Sequence, residues 1–80
     1  MKTIAERWRF FAGMCLPVGA SEIQAREMRR AYYAGFFDAL QANIEMAAES
    51  GPDDKLGVQM IQSLHDECRR FADEIAVGKA

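Results

Sequence analysis

Glu27-Met28-Arg29-Arg30-Ala31-Tyr32-Tyr33-Ala34-Gly35-Phe36-Phe37-Asp38-Ala39-Leu40 decides the fold of this chain. The stretch holds four of the eight aromatic residues and two of the seven arginines. Set on a wheel at about 100° per residue, it reads as the middle of one long helix with a narrow polar side. Arg30, Gln41, Glu27, Glu45, Asp38 and Glu49 share a sector of roughly 100°, and most of the remaining surface is apolar. One partner helix covers a stripe of only about 100°. The long helix therefore calls for two partners, a partner and a ligand, or a second copy of itself.

Working outward, Ser21 with Gln24 forms a capping box that starts this helix at residue 22. Ser50-Gly51-Pro52 ends it near Glu49, with Gly51 as the left-handed cap and Pro52 blocking extension. Before it, Thr3 and Glu6 make a capping box for a short helix over residues 4–13, with Ile4, Trp8, Phe11 and Cys15 along one face. The uncharged connector Gly13 to Ala20 is expected to be packed down or covered by a partner, since exposed loops are usually polar. After the long helix, Asp53 or Asp54 caps a third helix over residues 54–77. Its apolar stripe runs through Ile61, Leu64, Cys68, Phe71, Ala72 and Ile75, and a short turn folds it back on the long helix. The expectation is an all-α chain, one domain over residues 1–80: a short helix, then a long antiparallel helical hairpin, in an oligomeric bundle.

Eighty residues sit near the size at which a lone core supplies little stability. Two cysteines and no secretory signal argue against a disulfide framework, so Cys15 and Cys68 read as small buried hydrophobes in a reducing compartment. One histidine leaves no metal-ligand cluster. Oligomerisation is then the expected staple. Ala31, Gly35 and Ala39 form a small-residue row that permits close helix crossing, and Asn43 would fix its register. A net charge of −2 argues against a general nucleic-acid binder, and the uncharged run from Phe10 to Ser21 is too short to span a bilayer.

No nucleophile, base and metal set points to an enzyme, and no cofactor is implied. The best candidate site is a ligand-binding one. Arg26, Arg29 and Tyr33 lie together on the wheel, and Phe36 continues the strip. Arg29 falls inside the apolar arc, where it must snorkel, pair with an acid or meet an anion. A guanidinium supplies a planar fork for phosphate, and an aromatic ring supplies a face for a base. Trp8 could act as a stacking lid, and Arg69 could join Arg29. The plainer readings are an acid partner for Arg29, a core plug for Trp8, a solvated face for Arg69 and a core role for His65.

The run Glu27 to Gly35, with Trp8-Arg9-Phe10-Phe11 before it and Glu67-Cys68-Arg69-Arg70-Phe71 after it, resembles a pattern in small accessory proteins of bacteriophages and prophages. The resemblance spans most of the chain. It implies a counter-defence factor in the cytoplasm of an infected bacterial host. One such role is a homo-oligomer that sequesters a nucleotide-type immune signal. Alternatives are an inhibitor that binds a host defence protein, as anti-CRISPR factors do, and a structural or regulatory phage subunit.

Overall fold

A computed structural model describes residues 1–80 and contains three α-helices and no strand: α1 (Ile4–Cys15), α2 (Glu22–Ser50) and α3 (Asp54–Ala76). The chain divides into two compact units, Met1–Gln41 and Ala42–Ala80. No helix is long and apolar enough to cross a membrane.

Capping chemistry accounts for the helix starts. Thr3 is extended, its hydroxyl accepts from the Glu6 N–H at 3.1 Å, and the Thr3 N–H donates to Glu6 Oε1 at 3.0 Å. Two orphan backbone donors are thereby satisfied reciprocally. The Thr3 backbone donor first, then its hydroxyl, hold the Glu6 carboxyl below its ordinary value, with Arg9 and Arg7 adding a lesser pull. At α2 the bond formed is from the Gln24 N–H to Ser21 Oγ, 3.0 Å. At α3 it is from the Leu56 N–H to Asp53 Oδ1, 3.1 Å.

The stops follow proline and glycine. α1 passes through Gly13 and ends at Cys15, two residues beyond the expected end. Gly13 does not adopt positive φ, so it does not break the helix. The break comes from Pro17, which disfavours helical geometry in the residue before it. Leu16 is accordingly extended, at φ −73° and ψ 130°. α2 ends one residue later than expected, and Gly51, at φ 52°, donates its N–H to the Ala47 carbonyl at 3.1 Å. After α3, Gly78 takes φ 77°, and the Lys79 N–H reaches the Glu74 carbonyl at 2.8 Å.

The first unit is organised around Trp8, the one buried residue, only 8% exposed. Its ring centroid lies 5.9 Å from that of Phe11 and 5.6 Å from that of Tyr32. Phe11 and Tyr32 are 5.1 Å apart, and Tyr32 continues to Phe36 at 6.3 Å. Tilted rings at such separations add about 0.5–1.5 kcal/mol per pair beyond area burial. The inner face of α1 is Ile4, Ala5, Trp8, Phe11 and Ala12, while Phe10 and Met14 face outward.

In the second unit, Leu56, Gly57 and Met60 of α3 and Ala42, Met46 and Ser50 of α2 are half-buried. Ser50 Oγ lies 3.4 Å from the place a Gly57 Cβ would occupy.

Two expectations are corrected. Cys15 and Cys68 are exposed, not buried: Cys15 ends α1 beyond its packed face, and Cys68 sits where α3 is uncovered. His65 is exposed for the same reason. In the uncharged connector Val18 is 106% exposed, while Leu16 and Ala20 are half-buried.

Candidate functional site

Residues 26, 29, 30 and 33 follow a spacing of three, one and three, which places them on adjoining ridges of a helix. Arg26, Arg29, Arg30 and Tyr33 together line a shallow depression of about 370 Å³ on α2. The lining holds three guanidinium groups and a phenol, and no carboxylate. Glu22 lies one turn before Arg26, at the helix start. All three arginines are exposed and Tyr33 is half-buried.

The Arg29 guanidinium carbon lies 5.6 Å from the Tyr33 ring centroid. Such a contact is worth about 0.5–1 kcal/mol at an exposed position. It places the fork over the aromatic face, so Arg29 meets the apolar arc by snorkelling over a ring. Arg26 and Arg30 flank it from neighbouring turns. A phosphate set among the three could accept several charge-assisted hydrogen bonds, each roughly twice as strong as a neutral one.

The other candidates are distributed differently. Trp8 and Phe36 belong to the aromatic cluster around Tyr32. Buried as it is, Trp8 presents no open face to a ligand in this arrangement. Arg69 lies on α3, in the second unit, and is exposed. Ala31, Gly35, Ala39 and Asn43 are all exposed, and a Cβ added at Gly35 would meet nothing within 4 Å.

The sequence reading missed a second cationic recess of about 330 Å³, lined by Lys2, Arg7, Phe10, Phe11, Met14 and Tyr32. The Lys2 Nζ stands 5.6 Å from the Phe10 ring centroid. The outward row Phe10–Met14, one turn apart and beside Arg7, was the signal that could have found it. No set of three His, Cys, Asp or Glu side chains is grouped to hold a metal ion. No protein-family model matches the chain, and neither a curated protein nor a solved structure matches it.

Proposed function

We propose that this protein is a non-enzymatic binding protein that holds a nucleotide-type anion on the α2 ledge. The observation that carries the reading is the convergence of Arg26, Arg29, Arg30 and Tyr33 on one depression whose lining contains no acid. The arginines take the phosphate, and Tyr33 offers its ring to the base once Arg29 swings from it onto the anion. Trp8 supports the ledge indirectly, by packing on Tyr32, the neighbour of Tyr33. Taken with the resemblance to phage accessory proteins, the biological role is sequestration of a nucleotide immune signal inside an infected bacterium.

The test is calorimetry with a panel of cyclic nucleotides and ADP-ribose derivatives. Removing one charge-assisted partner costs about 1.5–3 kcal/mol, so Arg29→Ala should weaken binding roughly 10- to 100-fold. Tyr33→Leu should weaken nucleotides while sparing inorganic phosphate. Absence of binding across the panel refutes the proposal.

The exposed apolar side chains favour a second reading, an inhibitor of a host defence protein. Phe10, Phe37 and Phe71 are each more than half exposed. Here one host protein would co-purify in fixed stoichiometry. Charge reversal at Asp73 and Glu74 would release it, and Arg29→Ala would not.

A further inference from the structure

The second cationic recess draws every lining residue from Met1–Gln41, so it belongs to one compact unit. Phe11 and Tyr32 are half-buried and form its floor, with ring centroids 5.1 Å apart and planes tilted by 37°. Both rings pack against the buried Trp8, at 5.9 and 5.6 Å. The floor is therefore held in place before any ligand arrives, which lowers the cost of binding. Phe10 and Met14 lie one turn apart on α1, and both are exposed, as are Lys2 and Arg7. These four side chains make the walls and the rim.

Charge in the recess is one-sided. The lining contains one ammonium and one guanidinium and no carboxylate. Glu6, the one acidic residue of α1, is already engaged. Its Oε1 accepts from the Thr3 backbone N–H at 3.0 Å and from the Thr3 hydroxyl at 3.1 Å. Lys2 Nζ instead stands 5.6 Å from the Phe10 ring centroid. A ring face holds an exposed ammonium only weakly, so Lys2 can turn to an anion at little cost.

We propose that this recess binds a small aromatic carboxylate, a flat ring body carrying a single negative charge. The lining selects that class. Three aromatic rings offer offset or edge-to-face contacts to a flat body, and the Met14 thioether offers a sulfur–aromatic one. Arg7 supplies a planar fork that matches a carboxylate, and Lys2 adds a point charge. A volume of about 330 Å³ lies at the low end of the ~300–1,000 Å³ range of ligand sites, which suits a compact ring system and not a dinucleotide. The α2 ledge has the opposite balance, with three guanidinium groups to one phenol. The two sites share no residue, so this one stands or falls separately from the nucleotide reading.

The experiment uses the full chain with carbon-13 in its methionine methyl groups. The Met14 signal is assigned by its loss in Met14→Leu. Naphthalene-2-carboxylate, titrated at neutral pH, is expected to shift that signal saturably. Naphthalene-2-carboxamide has the same shape without the charge and should bind at least about 10-fold more weakly. Cyclohexanecarboxylate keeps the charge without the aromatic ring and should bind about 3- to 10-fold more weakly. Lys2→Gln combined with Arg7→Gln should keep the helical circular dichroism and weaken the naphthoate about 10- to 100-fold, leaving the amide unchanged. Should that double variant fail to fold, Phe10→Ala should weaken the naphthoate about 3- to 10-fold. Arg29→Ala, on the ledge, should change nothing. An unmoved Met14 signal, equal affinity for acid and amide, full affinity in the folded charge variant, or loss of binding with Arg29→Ala overturns the proposal.

Discussion

Trp8→Ala should release α1 from the first unit while leaving α3 folded. Trp8 is 8% exposed and touches both Phe11 and Tyr32, so its removal opens the middle of the aromatic cluster. A tryptophan buries about 150–250 Å², worth ~4–6 kcal/mol at ~25 cal/mol/Å² against an extended chain. Real unfolded chains are more compact, which lowers that by roughly 10–40% and agrees with the ~3–5 kcal/mol measured for such substitutions. Taking about 3 kcal/mol, the docking equilibrium shifts about 100-fold. α1 has 12 residues, and helices of this length are marginal in water by themselves. It should therefore unfold once undocked. Hydrogen exchange read by mass spectrometry is the assay: amides of residues 4–15 should lose protection about 100-fold, and those of residues 58–70 should not. Phe10→Ala, on the exposed side of the same helix, is the control and should change stability by no more than about 0.5 kcal/mol. Unchanged protection in α1, or an equal loss in α3, would refute the reasoning.

Thr3→Ala removes the hydroxyl from the first capping box and should cost about 1 kcal/mol, seen as a lower midpoint in urea. The same change should raise the Glu6 pKa, followed by carbon-13 NMR, because both lost and weakened bonds favour the carboxylate. Since the folded value is depressed, this carboxylate's contribution to stability is full above its ordinary pKa and is lost as pH falls through the lowered one. Gly51→Ala should destabilise by about 1 kcal/mol, since φ 52° is costly for a residue with a Cβ. Gly35→Ala should instead raise the thermal midpoint by the equivalent of up to ~1 kcal/mol, because open space surrounds that site in a regular helix. A drop there would reveal a close neighbour that this chain does not provide.

The contrast between Gly51 and Gly35 explains why some of this molecule was legible in its sequence and some was not. Helix ends are decided within four or five residues. Thr3 with Glu6, Ser21, Asp53 and Gly51 each close a bond to a backbone group that close in the chain, so their meaning survives without knowing the rest of the fold. The end of α1 is local too: it falls at Cys15 rather than residue 13, just before Leu16, which Pro17 holds extended. Burial is different in kind. An apolar stripe states that a face needs cover, and it is silent about what covers it. The stripe of α1 is covered from within, where Trp8 and Phe11 meet Tyr32. On α3, which has the same apolar character, Leu56, Gly57 and Met60 are half-buried, while Ile61, Leu64, Phe71 and Ile75 are each more than 40% exposed. Cys68, expected to be buried on that stripe, is exposed. The ledge follows the same logic. Spacing alone set Arg26, Arg29 and Tyr33 on one side of α2. What the wheel could not show is that the Arg29 guanidinium rests over the Tyr33 ring, 5.6 Å from its centroid.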